Sequence, residues 1–354
     1  MRKLHNTVLI GILTVLAQSG SLSCSGATAS VQGGDITSAS GLPVPPVTGV
    51  HKPVGALGGL KVLNWAGFKS AITYTFDDSI QSQIANYPQL QATGVRMTFF
   101  IVGANNDSNS PVWSQAAKDG HELANHTAHH CHANGAGCGW GSYAGTLEQE
   151  YDLCTDHIKQ AYGVSNVWTT ASPYGDTGYN SIAKTRFFLN RGVWSGQIAP
   201  NDNTDPYNLL VHAVVAGETA SSYNSFIDSA HTAGNWQIFL FHSLGRDNGY
   251  APVNIADLLA SIHHAQSMGD VWIDSMVNVG AYWAGQKVVT NAASTKSGKN
   301  TIVTWKLPDH FPPGKYIRVT VTGGTLKQQG KVLPWNDAGY YEVALDAGSL
   351  TISR

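Results

Sequence analysis

Charged residues are scarce in this chain of 354 residues, making up 12% of it, about half of the share usual in soluble proteins. Lys and Arg (21) nearly balance Asp and Glu (23), for a formal charge of −2. That balance argues against a nucleic-acid binder held by phosphate contacts. Intrinsic disorder is also disfavoured, because it needs low hydrophobicity with high net charge, and 42% of this chain is hydrophobic. Long apolar runs are missing beyond the N terminus, so no segment reads as a transmembrane helix. Ser, Thr, Asn, Gly and Tyr are left to build the surface. Such a surface suits a neutral, hydroxyl-rich partner such as a carbohydrate.

Cysteine is also rare, with four residues, and its placement ties in with the N terminus. Arg2 and Lys3 followed by the apolar run Val8–Ala17 read as a signal peptide over residues 1–29, too short to span a bilayer. Two processing sites compete. Ala27-Thr28-Ala29 fits small-x-small cleavage, whereas Ser21-Leu22-Ser23-Cys24 resembles a lipoprotein box with its Leu one place late, which would make Cys24 a lipid anchor. Either way the mature chain is expected outside the cytoplasm, secreted or in the cell envelope. In that setting Cys131 and Cys138 are the natural disulfide, since Gly135, Gly137 and Gly139 let a short loop close. Sequence alone does not fix the connectivity.

Residues 30–67 are Gly-, Ser- and Pro-rich, including Pro43-Val44-Pro45-Pro46, and read as a linker. From 68 to 285, short apolar runs alternate with longer, helix-length stretches. The runs are Ala71–Phe76, Val95–Val102, Val167–Ala171, Val193–Trp194, Ile238–Phe241 and Val271–Ile273. This spacing predicts an α/β domain with mostly parallel strands. From 286 to 354 the candidate strands Thr301–Lys306, Tyr316–Thr322, Tyr340–Leu345 and Ser349–Ser353 have no helical segment between them. They predict a small C-terminal all-β domain, whose Trp305, Tyr316, Trp335, Tyr340 and Tyr341 suit either a core or a sugar platform.

Three features with chemical potential each fall where an apolar run ends. Asp77 and Asp78 follow the first run. Two adjacent carboxylates repel unless something positive holds them, and strand alternation sends them different ways. One can then hold a cation while the other stays free as a base, although an Asp here could equally cap a helix. His121, His126, His129, His130 and His132 form a cluster. His126 and His130 are four apart, which would put both imidazoles on one face of a helical turn as metal ligands. His129 and His132 read as neighbours. A polar surface loop, or a structural zinc site using Cys131 and Cys138, are the competing readings. His242 closes the run Ile238–Phe241, and a titratable residue at such a strand end is a placement that barrel active sites use.

Together these residues resemble the polysaccharide deacetylase family (NodB-homology, carbohydrate esterase family four) over residues 68–285. Thr75-Phe76-Asp77-Asp78 is similar to the first motif, His126-Thr127-Ala128-His129-His130 to the second, with the lead-in Gly120–Asn125, and Ile238–His242 to the Leu-x-Leu-x-His motif. The resemblance implies a distorted (β/α) barrel. It also implies a metal-dependent hydrolase with Asp77 as general base, Asp78, His126 and His130 as metal ligands, and His242 as general acid. The implied metal is Zn²⁺, with Co²⁺ or Mn²⁺ as alternatives. The third motif, Arg-x-Pro-Phe/Tyr, is half present as Ala171-Ser172-Pro173-Tyr174. Tyr174 N–H would be the oxyanion donor, with Pro173, Tyr174 and Trp194 against the substrate. Ala171 stands where the family's Arg holds the base, so the pKa of Asp77 is expected to rise. The fourth motif's Asp-Trp pair is absent, with only Asp202 and Asp205 beyond Trp194. The implied substrate is an acetylated polysaccharide, through N-acetyl groups of glucosamine in chitin or peptidoglycan-type polymers. Acetylxylan, or carbohydrate binding with weak or no catalysis, are the alternatives.

Overall fold

The computed structural model describes residues 40–245 and 249–354. The signal segment, Cys24, and the first ten residues of the expected linker therefore lie outside the described residues. Nine strands come first: Leu60–Val62 (β1), Ser70–Phe76 (β2), Thr98–Ile101 (β3), Glu122–Asn125 (β4), Thr169–Ala171 (β5), Leu189–Ser195 (β6), Leu209–Ala213 (β7), Trp236–Phe241 (β8) and Val271–Ile273 (β9). Between and after them run the helices Gln81–Gln91 (α1), Pro111–Lys118 (α2), Leu147–Tyr162 (α3), Asn180–Ala183 (α4), Ala220–Ala233 (α5), Ile255–Ser267 (α6) and Met276–Thr290 (α7).

Strands β2 to β8 are all parallel and close on themselves in the order β3-β4-β5-β6-β7-β8-β2, with β2 pairing back to β3. This is the distorted (β/α) barrel expected from the sequence. The distortion is visible on β2: its N-terminal half (Ser70–Ile72) pairs with β9, and its end (Thr75 and Phe76) pairs with β3. The β6-to-β7 connection carries no helix.

Alternation along the strands decides what faces inward. On β2, Ile72, Tyr74 and Phe76 pack outward with the helices, together with Phe99, Tyr223, Phe239 and Phe241. Ala71 belongs to the other core, with Phe100, Ala124, Ala171, Leu189, Ile238 and Leu240. Continuing each inward set by two residues leads to Asp77 after β2, His126 after β4, Arg191 on β6 and His242 after β8. Thus the same parity that fills the barrel also aims these four side chains into its mouth.

The remaining strands are Ala293–Ser297 (β10), Asn300–Thr304 (β11), Tyr316–Val321 (β12), Thr325–Gln328 (β13), Lys331–Val332 (β14), Tyr341–Ala344 (β15) and Ser349–Ser353 (β16). They form a three-stranded sheet β1-β12-β15 and a five-stranded sheet β10-β11-β16-β13-β14. Here the structure corrects the linker reading for residues 40–67. β1 pairs with β12, Trp65 and Ala66 are fully buried, and the buried Arg318 donates to the carbonyls of Pro43 (2.6 Å) and Ala66 (2.8 Å). Low sequence complexity hid a segment attached through its backbone carbonyls and through the buried Trp65, whose indole N–H donates to Gly234 O at 2.7 Å. The C-terminal strands share one core with the barrel, since Ile317, Val319 and Val343 cluster with Trp236, Trp272 and Trp283. Tyr340 and Tyr341 are buried, and Trp305 donates its indole N–H to Leu345 O at 2.8 Å. Tyr340 and Tyr341 therefore build core, and Trp305, Tyr316 and Trp335 pack half-buried against it.

Candidate active site

Asp77, Asp78, His126, His130 and His242 come together at the C-terminal mouth of the barrel. His126 Nε2 lies 3.5 Å from Asp77 Oδ2 and 3.6 Å from Asp78 Oδ1. His130 Nε2 is 3.7 Å from Asp78 Oδ1, and His242 Nε2 is 3.9 Å from Asp77 Oδ2. The two aspartates diverge because Asp78 has left the strand, with φ 77°. Asp77 N still donates to Phe241 O at 2.9 Å, continuing the ladder. Gln83 ties the two catalytic loops together, donating to Asp77 O (2.5 Å) and His242 O (3.0 Å).

His126 and His130 do not share a helical turn, contrary to the spacing argument. Thr127 (φ 67°) and His130 (φ 51°) both have left-handed backbones, which no α-helix admits. A side-chain turn holds the bend: Thr127 N donates to Asn125 Oδ1 and His130 N to Thr127 Oγ1. The rings nonetheless meet, with centroids 4.6 Å apart. Among the described residues, ten that are not glycine have positive φ, and five of them are Asp78, Ser79, Thr127, His130 and Tyr174. Such strain concentrates where a fold fixes a functional geometry.

The residues present fit a divalent cation. Asp78 Oδ1 is buried without a hydrogen-bond partner among the described residues. One donor atom each from Asp78, His126 and His130 lies within 4.8 Å of the others. His126 Nδ1 is engaged by Ala171 O at 2.9 Å, so that nitrogen carries the proton and Nε2 presents its lone pair toward Asp78. Cys131 and Cys138 are joined to each other, which removes the zinc reading that used them. His129 and His132 bond to Glu150 and Asp176, both at 2.9 Å.

One residue that the sequence reading missed is Arg191. Its Nη2 donates to Asp77 Oδ2, with the two side chains 1% and 4% exposed. Arg191 is the cross-strand partner of Ala171, so a guanidinium does reach the base, from the neighbouring strand. This overturns the expectation for Asp77. Burial pushes its carboxyl up, but Arg191, His126 and His242 together outweigh burial and bring it below the usual value. For Asp78, burial and the adjacent Asp77 charge raise the carboxyl to about 7, against Arg191. Burial lowers His126 and His130, and takes His242 to about 4. Nothing local in Leu189–Ser195, which also carries Asn190 and Ser195, marks Arg191 out in the sequence.

Pro173, which has no N–H, and Tyr174 open a short 3-10 turn after β5, in which Gly175 N donates to Ser172 O at 3.0 Å and the Tyr174 N–H takes no part. The Tyr174 ring stacks on His132 (3.9 Å, 16°) and meets His130 edge-on, while its hydroxyl donates to Gly137 O. One face is therefore occupied, while the residue stays 47% exposed. Trp194, 61% exposed, and Tyr250, 70% exposed, are more open aromatic faces, and Tyr250 also packs edge-on against His242 (4.9 Å). Asp202 is spent on Ala199 N and Thr204. His242 Nδ1 has no hydrogen-bond partner among the described residues.

Residues 67–187 match the family model described as polysaccharide deacetylase. No curated protein matches the chain. Solved structures that resemble it include a family 4 carbohydrate esterase from Streptomyces lividans in complex with acetate, at 19% identity over 60% of this chain and 95% of that one, TM-score 0.41. Another is a family 4 carbohydrate esterase from Bacillus subtilis, at 16% identity over 66% and 94%, TM-score 0.42. The match over 67–187 and the motif residues assembled at the barrel mouth make this part of the chain similar to the polysaccharide deacetylases (NodB-homology, carbohydrate esterase family four).

Proposed function

We propose that this chain is a metal-dependent deacetylase that removes N-acetyl groups from glucosamine units of an exported polysaccharide. The observation that carries this reading is the division of labour between adjacent aspartates. Asp77 is paired with Arg191 and kept ionised, whereas Asp78 faces two imidazole nitrogens with an orphaned oxygen. Environments that drive two neighbouring carboxyls apart assign them different roles.

In this mechanism Asp78, His126 and His130 hold a divalent cation, with Zn²⁺ the best match to two imidazoles and a carboxylate. When bound, the cation supplies Lewis acidity to the acetyl carbonyl and lowers the pKa of a water. Asp77 takes the proton of the attacking water as general base. Arg191 keeps that carboxylate charged and aimed. The Tyr174 N–H donates to the oxygen on which negative charge develops. His242 returns a proton to the leaving nitrogen, and its Nε2, 3.9 Å from Asp77 Oδ2, sits beside the group that accepted it. An amide departs only with that proton, because an amide anion is too basic, so the placement of His242 meets the requirement of an N-acetyl substrate. The Cys131–Cys138 bond supports export to an oxidising compartment.

The test is acetate release from an N-acetylglucosamine oligomer and from acetylated xylan, side by side, with and without a chelator. Chelator-sensitive release from the glucosamine oligomer supports the proposal. Release from xylan alone would make the chain an acetyl esterase. Silence on both with metal supplied would leave a carbohydrate binder.

A further inference from the structure

The motif-two histidines are the first limb of a tight hairpin. Trp140 N donates to His129 O (3.1 Å), Gly139 N to His130 O (3.0 Å), and His132 N to Ala136 O (2.9 Å). The Cys131–Cys138 disulfide falls between these rungs, so the covalent link is the rung adjoining His130–Gly139. The returning limb carries glycine at every second position, and each glycine faces a ring. A side-chain carbon at Gly135 would lie 2.9 Å from the Tyr143 ring. At Gly137 it would lie 2.9 Å from His132 Cδ2, at Gly139 3.4 Å from His130 Nδ1, and at Gly141 2.9 Å from His129 Cδ2. Carbons rarely approach within 3.0 Å, so rings and glycines fill one another's space.

A second brace closes the base of this hairpin. Glu150, fully buried at the start of α3, accepts from His129 N (2.9 Å) and His129 Nδ1 (2.9 Å) on one limb and from Ala144 N (2.8 Å) on the exit. The tip is held as well, through the Tyr174 hydroxyl on Gly137 O (2.7 Å). His130 is thus walled by Gly139, by Trp140 edge-on at 5.7 Å and by Tyr174 edge-on at 4.5 Å. Its Nε2 is left toward Asp78 and His126.

We propose that the Cys131–Cys138 hairpin is a clasp that fixes His130 in its ligating position before the metal arrives. Its members are positioning residues: they touch neither substrate nor cation, and act through the ring they enclose. His130 stands on a strained left-handed backbone, so without the clasp it would relax away from the other two ligands. Groups that orient a metal ligand commonly contribute 10- to 100-fold in metal affinity. This inference rests on the proposed reading of Asp78, His126 and His130 as the metal site.

The experiment is a Zn²⁺ competition titration against a chromophoric chelator, on the full chain, with circular dichroism to verify folding. It compares the wild type with Cys131→Ala/Cys138→Ala, Gly139→Val, Gly139→Ala and His130→Ala. Gly139 is exposed and outside the left-handed region, so its variants keep the backbone intact even if the cysteine variant fails to fold. Gly139→Ala, whose methyl makes ordinary contact, stays within about 2-fold of wild type. Gly139→Val, and the cysteine pair if folded, lose 10- to 100-fold. Folded variants binding Zn²⁺ as tightly as wild type would overturn the clasp while leaving the metal site standing. Equal binding by wild type and His130→Ala would overturn the metal site, and the clasp with it.

Discussion

Arg191 and Ala171 are cross-strand partners on β6 and β5, and it is the guanidinium of Arg191 that reaches Asp77. Where the family pattern has Arg at position 171, this chain leaves a methyl group and supplies the cation one strand over.

Arg191→Ala should therefore cost activity without touching the ligands. With its cation gone, Asp77 is protonated at higher pH, so the acid limb of the kcat/KM profile moves toward neutrality. Loss of orientation should lower kcat/KM by about 100-fold, and Arg191→Lys should restore part of it. Ala171→Arg alone should impair rather than improve the enzyme, because it forces a second buried cation beside the first. An Arg191→Ala variant with an unmoved acid limb would contradict this role.

Much of the barrel was legible because its strands are short apolar runs: six of the expected runs overlap β2, β3, β5, β6, β8 and β9. β4 was missed for a physical reason: Glu122 and Asn125 are buried polar residues, satisfied by Thr98, Thr169 and the carbonyl of Tyr151. Polarity masked a strand whose polar groups find partners inside. β7 was missed although His212 is its one polar residue. The site was legible as residue types, since Asp77, Asp78, His126, His130 and His242 do converge. Its conformation was not, because the positive φ of Thr127 and His130 goes with a turn held by the Asn125 and Thr127 side chains, which the His-x-x-x-His spacing does not reveal. Arg191 escaped because a pairing register between strands twenty residues apart leaves no local pattern.

Trp194 and Tyr250 should bind sugars beyond the reacting unit. Each open ring contributes about 1 kcal/mol of stacking, so Trp194→Ala and Tyr250→Ala should each raise KM for a long oligomer about 5-fold, with kcat nearly unchanged. Steady-state kinetics on oligomers of increasing length check this. Equal KM ratios for short and long substrates would remove the polymer-binding role.

His121 should make stability pH-dependent away from the site. Its Nδ1 accepts from Met97 N (3.0 Å) and its Nε2 bonds to Gln91 Oε1 (2.7 Å), while burial takes its pKa down to about 4. The unfolded chain protonates this residue near 6.5 and the folded chain does so only near 4. Stability present above pH 6.5 is therefore lost as pH falls toward 4, by up to about 3 kcal/mol. Urea melts at several pH values, for wild type and His121→Asn, should show the variant's deficit shrinking over that window. A constant deficit would contradict it.

The most direct measurement of the whole account separates the two adjacent aspartates. Metal content and acetate release are measured together for wild type, Asp77→Asn and Asp78→Asn after identical loading with Zn²⁺. Asp77→Asn should keep its metal and lose activity by 10²- to 10⁴-fold, as removal of a general base does. Asp78→Asn should lose both. Equal metal content in all three proteins, or an active Asp77→Asn enzyme, would contradict the assignment of base and ligand.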